Sequence, residues 1–550
     1  MACHRRFAID GPHPILAAYG MAQLTIQQAF DLASKHHQSG RLQQAQQLYQ
    51  QILARQPDHA GAMHHLGVLA HQQEQNDLAA ELIRKAIALN PNVPQAHNSL
   101  GTALQAIGQT DEAIASYTHA LALKPKFPSA LFNLGAAQQS KGQLDESIAA
   151  YRAAIATQPD YVQAHSNLGI ALKEKGELDQ AITAFRSAIA VDPNYADAHY
   201  NLGLALRAQG NLTDAIDSFR QAIALQPNSP LAHLNLGMSL LARQDFQQGW
   251  EEYEWRWKCR PSPQRTFDQP KWDGSSLNNR TLLIHAEQGF GDTIQFIRYL
   301  PLVAQRMDAR GGRIVIECQP ELEQLLATIA QKIPQAISGR WHIISRCQPL
   351  PPFDLHCPLL SLPWAFKTTL DSIPAEVPYL FPDPNRIQRF RQGLIPSGSN
   401  LKIGLAWAGS PTHKHDRTRS VSLDQLAPLA AVPGAKFYSL QKGPAAAQAK
   451  SPPPGLNLID WTDEFSNFND AALIANLDLI ITVDTSIAHL AGALGRPTWV
   501  LLSFAPDWRW LLDREDSPWY PSMRLFRQPS LGDWESVVGR VAEALTGVRS

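Results

Sequence analysis

Cysteine is scarce in this chain: Cys3, Cys259, Cys318, Cys347 and Cys357 are the only five in 550 residues. They form no Cys-x-x-Cys and no His/Cys set at zinc spacing, so they read as reduced thiols of a cytoplasmic protein. Long apolar runs are missing as well; none approaches the ~20 residues that a membrane-spanning helix needs. Charge of either sign is not in excess, with 48 Lys plus Arg against 49 Asp plus Glu. That balance argues against a generic nucleic-acid binder. The opening MACHRRFAIDGPHPILAAYG has basic residues and a short apolar run, but no convincing cleavage site. A signal peptide is therefore not expected; residues 1–25 read as a loose N-terminal tail ahead of the repeats, and Met21 is an alternative opening of the structured part, with the first twenty residues loose.

What is present is length enough for two or three domains and a hydrophobic fraction of 44%, typical of globular proteins. Prolines stand at 57, 91, 125, 159, 193, 227 and 261, a period of 34 residues held without a slip. In phase with them recur Leu66-Gly67, Leu100-Gly101, Leu134-Gly135, Leu168-Gly169, Leu202-Gly203 and Leu236-Gly237. The glycine lets two helices approach closely, and the proline ends the second helix of each unit. Gly40, Gly108, Gly142, Gly176 and Gly210 occupy the turn between the helices, where a left-handed backbone costs glycine little. A period of this length means a solenoid. These slots resemble the tetratricopeptide repeat over residues 26–260, about seven units. Stacked helix pairs of that kind imply a superhelix whose concave face binds extended peptides.

The residue before Leu-Gly is Asn133, Asn167, Asn201 and Asn235 in four successive units. Amides one repeat apart can pair with a peptide backbone whatever its sequence, because each offers a donor and an acceptor. Asparagine is also common at this slot for structural reasons. The array ends in GWEEYEWRWK, where Trp250, Trp255 and Trp257 can close it against the next domain.

Residues 261–280, rich in Pro, Ser and Asn, read as a linker. Beyond it, strand and helix patterns alternate: TLLIHAEQGFGDTIQFIRYLPLVAQR, GRIVIEC and PELEQLLATIA, then a proline-dense stretch from Pro349 to Pro384 that suggests a boundary or crossover. A second set follows with LKIGLAWAGS, SLDQLAPLAA, AKFYSLQ, NDAALIANL, LIITVD and PTWVLLS. The alternation implies two parallel-sheet α/β domains, 281–385 and 386–550.

The centre of this half is Leu479–Arg496, LIITVDTSIAHLAGALGR, an apolar strand ending at Asp484 and passing into an alanine-rich helix. Thr485 and Ser486 fall where the helix begins, so its unpaired N–H groups and positive dipole end can hold a phosphate. In open α/β sheets ligands gather at the carboxyl ends of the strands, where Asp484, Thr485, Ser486 and His489 belong. An ordinary crossover with a packed histidine is the plainer alternative.

Gly289–Asp292 (GFGD), WAGSPTHKHDRTRS from Trp407, SLQKG from Ser439 and DTSIAHLAGALGRP from Asp484 resemble, in order and spacing, the heptosyltransferase-like glycosyltransferases of family 9. The repeat array ahead of them is similar in arrangement to protein O-GlcNAc transferases. The resemblance implies a GT-B pair of Rossmann-like domains, the nucleotide-sugar donor held by the C-terminal lobe and the acceptor reached from the N-terminal one. It also implies that Asp292 is the catalytic base of an inverting transfer; a helix cap is the alternative, and Glu287 and His285 are runners-up.

Sugar transfer from a nucleotide diphosphate needs positive groups where charge grows on the leaving diphosphate. Lys442, beside Gln441 and the helix start at Thr485 and Ser486, is the first choice. Arg417 and Arg419 are further candidates, and Gly289 and Gly291 shape the donor-side loop. No Asp-x-Asp ends a strand, so no metal and no other cofactor is expected. Five of thirteen tryptophans fall between Trp499 and Trp534, a segment without an assigned role. The expectation is a cytoplasmic glycosyltransferase whose acceptor, a protein or peptide, lies along the array near Asn133, Asn167, Asn201 and Asn235; a glycan or lipid acceptor is a lesser alternative. Its rival is a binding scaffold with an inactive GT-B half. Nucleic acid is not an expected partner, and a homo-oligomer is compatible with the sequence.

Overall fold

A computed structural model describes residues 24–259, 266–287, 289–307, 311–393, 401–412, 416–461, 468 and 471–547. Most of the expected N-terminal tail lies outside the described residues, as do Cys3 and Pro261. By packing, the chain divides into two compact units, one ending at Asn201 and one starting at Leu202.

Fourteen helices run from Ile26 to Tyr253. The first is capped by Thr25, whose hydroxyl accepts from Gln28 N while Gln28 reaches back, a capping box. Second helices of the first six units stop just before their proline: Asn90, Gln158 and Asp192 are extended, with φ −142°, −137° and −134°. The proline ring forbids its predecessor the helical region, so the stop is local. Within a pair, contact is closest at the Leu-Gly slot. A Cβ on Gly101 would meet the buried Tyr117 ring at 2.5 Å, so only glycine admits the aromatic there. The turn glycines adopt φ of 73° to 91°; at the equivalent slots the second and seventh units place Glu74 (φ 61°) and Gln244 (φ 70°).

In the second unit two parallel sheets follow the array's last helices. The first holds β1 (Thr281–His285), β2 (Arg313–Cys318), β3 (Trp341–Ser345) and β4 (Leu355–Pro358) in the order β3-β2-β1-β4. Leu283 pairs with Val315 on one side and His356 on the other. The proline-dense stretch is thus no simple boundary, because it contains β4, which pairs with β1. Nor is the described part of the expected linker free: Lys271 bridges to His356, and Trp272 is buried.

The second sheet holds β5 (Leu401–Ala406), β6 (Ala435–Ser439), β7 (Leu458–Asp460), β8 (Leu479–Val483), β9 (Thr498–Leu502) and β10 (Met523–Arg527), ordered β10-β9-β8-β5-β6-β7 and parallel throughout. This is the doubly wound order, in which the chain reverses its direction of travel between β5 and β8. β8 and β9 are buried at every residue, as strands covered on both faces must be. SLDQLAPLAA forms a 3₁₀ segment (Leu423–Ala431) instead of an α-helix, since Pro428 inside it denies the backbone a donor. One hydrophobic core runs from Trp250 and Tyr253 through the first sheet to Trp508, Trp510 and Trp519.

Candidate functional site

β8 delivers Asp484 to the carboxyl edge of its sheet, and the Ser486–Ala493 helix starts two residues later. Thr485 is its N-cap: extended, with Oγ1 accepting from Ile487 N at 3.3 Å and lying 3.1 Å from Thr482 Oγ1. Asp484, Thr485 and Ser486 are partly exposed, whereas the rest of the helix is buried. The loops after β5 (Trp407–Gly409) and β6 (Gln441, Lys442) leave the same edge, around the reversal between β5 and β8.

From the first sheet, β1 leads through Gly289 into the Phe290–Phe296 helix. This helix packs on the start of the Ser486–Ala493 helix so closely that a Cβ on Gly291 would stand 2.8 Å from His489 Cδ2 and 3.5 Å from Ser486 Cα. Gly291 is therefore the condition for the approach. Gly289, with φ −70° and nothing within 4 Å of a Cβ, is not under that constraint.

Asp292 lies in the first turn of its helix, and Gly289 occupies the N-cap, so the capping alternative for Asp292 does not hold. Its carboxylate, 17% exposed, accepts from Arg509 Nη2 at 2.5 Å. Arg509 also donates from Nε to Gln295 Oε1 at 2.7 Å and from Nη1 to Asp507 Oδ1 at 2.8 Å. Burial raises Asp292 above the usual carboxylate range; Arg509 opposes this, while Asp507 and Glu287 push the same way as burial. Asp484 is pushed up to about 6, by burial first and then by Asp507, against the pull of Arg419 and Arg509. His489 is buried, stacks on Trp510 and has Nδ1 3.0 Å from the Tyr520 hydroxyl. Burial, with Arg509 and Arg298 nearby, holds its ring well below the usual histidine range, so it stays neutral near pH 7.

Other expected residues divide. Gln441 is buried, and its amide is spent on the backbone: Oε1 accepts from Trp407 N and Ala408 N at 2.8 Å, and Nε2 donates to Ala408 O and Lys442 O. Its part is to join the loops after β5 and β6, not to face a ligand. Lys442 follows at that edge, half-buried. Arg419 turns inward over Gly409, with Nε 3.6 Å from Asp416 Oδ1. Arg417 is exposed; His413, Lys414 and His415 of the same loop lie outside the described residues. The runners-up for the base fail. Glu287 is enclosed in an ion pair with Arg256, and His285 is buried against Phe267 with Nε2 3.3 Å from His356 Nδ1.

Within the first unit, Asn133 and Asn167 are half-buried: Asn133 Nδ2 donates to Asn98 Oδ1 at 3.1 Å and Asn167 Nδ2 to Tyr151 OH at 3.4 Å. Asn201 is also half-buried. The Asn133–Asn98 bond belongs to a series between residues 35 apart, with His37–Gln72, His64–Ser99 and Gln139–Glu174. Asn235, in the second unit, departs from expectation: it is buried and donates to Leu231 O at 2.8 Å, so its amide serves its own helix. Among the described residues no three His, Cys, Asp or Glu side chains are grouped to hold a metal ion, and no helix is long and apolar enough to cross a membrane.

Sequence reasoning left Arg509 and Asp507 unassigned. The available signal was a charged residue set between two tryptophans in PDWRW, since a guanidinium enclosed by large apolar rings needs buried acids to pair with.

Profiles of the tetratricopeptide repeat match residues 30–94, 166–230 and 207–254, and others 104–142, 140–176 and 82–115. The profile of glycosyltransferase family 9 (heptosyltransferase) matches residues 467–504, which hold β8, Asp484–His489 and β9. Protein FlbA of Caulobacter vibrioides is 30% identical over 316 residues, 54% of this chain and 52% of that protein. The chain thus spans about half the length of this curated relative. Among solved structures, YrrB, described as a TPR protein with an unusual peptide-binding site, aligns with TM-score 0.30 and 22% identity over 34% of this chain and 95% of its own. PilW, described as a type IV pilus biogenesis factor, aligns with TM-score 0.37 and 23% identity over 38% and 98%. Tetratricopeptide repeats therefore run through the N-terminal region, and a segment similar to family 9 glycosyltransferases lies behind them.

Proposed function

We propose that this chain is a glycosyltransferase that moves a sugar from a nucleotide diphosphate donor to an acceptor, with inversion at the anomeric carbon. The two parallel-sheet lobes act as a GT-B pair. The observation that carries the reading is the approach of Gly291 to Ser486 and His489, since it brings Asp292 of one sheet beside the helix start of the other. A diphosphate at Thr485 and Ser486 meets the positive dipole end of the helix, and Lys442 and Arg419 add charge that counts most as the leaving group departs.

Asp292 takes the proton of the attacking hydroxyl. A base works best with its pKa near the operating pH, and burial moves Asp292 in that direction. Hydroxyl attack forms the new glycosidic bond as the bond to the diphosphate breaks; the proton passes to Asp292 and the electron pair to the diphosphate. No metal takes part in this scheme, because the helix dipole and Lys442 carry the charge. The acceptor is a protein or peptide received along the inner face of the repeats, with Asn133, Asn167 and Asn201 offering backbone-like hydrogen bonds, and the setting is cytoplasmic.

A thermal-shift screen against UDP, GDP, ADP and dTDP sugars tests the donor site, because a ligand that binds only the folded state raises its melting temperature. One donor class should stabilise the wild type and lose that effect in Lys442→Ala. Equal stabilisation of both chains would remove Lys442 from the site.

A further inference from the structure

The last repeat reaches the neighbours of the candidate base from two directions. On one side Arg256, in the turn that ends the array, is 2% exposed and grips Glu287, 0% exposed, through Nε–Oε2 at 3.1 Å and Nη2–Oε1 at 2.7 Å. Arg256 also donates to Glu254 at 2.6 Å and to Ser361 Oγ at 2.7 Å, and Glu287 accepts from Leu360 N at 3.2 Å. Glu287 stands two residues past the end of β1, ahead of the Gly289–Asp292 turn. On the other side Trp250 donates to Thr368 O at 2.8 Å and meets Trp508 edge-on at 5.2 Å; Tyr253 meets the same indole at 5.8 Å. Trp508 precedes Arg509, the partner of Asp292.

We infer that the final repeat belongs to the catalytic unit rather than to a recruiting array, and that Arg256 is a positioning residue that sets Asp292 through Glu287. The inference rests on the reading of Asp292 as the base. A buried carboxylate beside the GFGD turn is costly unless paired, and the chain pairs it with an arginine from the repeats instead of an apolar substitute. The division of the chain at Asn201 and Leu202, inside the array, agrees with this. The charged and titratable groups that act on Asp292 are Glu287, Arg509 and Asp507, with Tyr253 of the last repeat also within its field.

The test uses full-length chains and follows nucleoside diphosphate release from UDP-, GDP-, ADP- and dTDP-linked sugars across pH, in Arg256→Met, Arg256→Lys, Glu287→Gln and the Arg256→Met/Glu287→Gln pair. The double variant removes both buried charges, so it stays readable if Arg256→Met alone does not fold. Displacement of the base by about 1 Å lowers rate by ~10²-fold, so Arg256→Met should lose kcat by about that much, with donor KM within about threefold, and Arg256→Lys should recover part of it. The acid limb should move to higher pH in Arg256→Met and to lower pH in Glu287→Gln. The double variant should be no slower than Arg256→Met, because residues acting through one contact are not additive. Folded variants with wild-type kcat and an unmoved acid limb, or losses that simply add, overturn the inference. Asp292→Asn run beside them keeps the two readings apart: if it still turns over, the base assignment is wrong; if it is inert while Arg256→Met and Glu287→Gln behave as wild type, only the coupling is wrong.

Discussion

Arg509 donates to Asp292 across 217 positions of sequence, tying the turn after the second sheet's β9 to the first turn of the helix behind β1. The pair fixes the direction of a carboxylate whose pKa burial pushes up and Arg509 pulls down. A base is active only when deprotonated, so turnover should fall as pH drops through a value above the ordinary ~3.9 of aspartate. Because Arg509 pulls that value down, Arg509→Gln should move the acid limb of the rate profile upward. A limb that stays in place or moves down contradicts the pairing.

Asp484 carries a cost in the folded protein above its shifted pKa. Its folded value of about 6 exceeds the reference 3.8, so folding favours its protonated form, and the stability that this gives is full below pH 4 and lost as pH rises through 6. Asp484→Asn should therefore match wild type near pH 4 and be more stable at pH 7.5, by an amount on the order of 1–3 kcal/mol. Denaturant melts at the two pH values measure it. A variant less stable at both contradicts the upward shift of Asp484.

The two glycines of the GFGD turn should answer differently to the same change. Gly291→Ala drives a methyl into His489 and should cost about 1–3 kcal/mol together with turnover. Gly289→Ala meets open space at an ordinary φ and should stay within about 0.5 kcal/mol of wild type. Equal losses in the pair would mean that the approach of the two helices is not what Gly291 serves.

Glu74 and Gln244 hold the left-handed turn position that glycine fills in five other units. An L-residue pays roughly 1–2 kcal/mol there, and glycine returns part of that as chain entropy. Each change to glycine should raise stability by about 0.5–1 kcal/mol, read as a higher melting temperature. A lower one would show that these side chains hold contacts worth more than the strain.

The repeats were legible because their information is local and periodic: a proline follows the second helix in six units, and Gly101, Gly135, Gly169 and Gly203 each admit a ring. β1, β2, β5, β6, β8 and β9 were legible as apolar runs. β3, β4, β7 and β10 were not, since WHIIS, LHCP, LID and MRLFR are short or broken by polar residues and gain strand character only from their neighbours. At the candidate site, Asp292 and the Asp484–His489 stretch could be named from motif and strand-to-helix pattern. Arg509 could not, because its three partners come from two helically unrelated segments. Gln441 and Asn235 were named for amides that the fold uses internally, a fate that burial decides and sequence spacing does not display.

The central claim is that Asp292 takes a proton while the neighbouring helix start holds the donor. Donor binding by calorimetry and sugar transfer by product analysis, both on Asp292→Asn, test it together. Binding within about threefold of wild type with transfer reduced by ~10²–10⁴-fold is the predicted result. Transfer at the wild-type rate would contradict it.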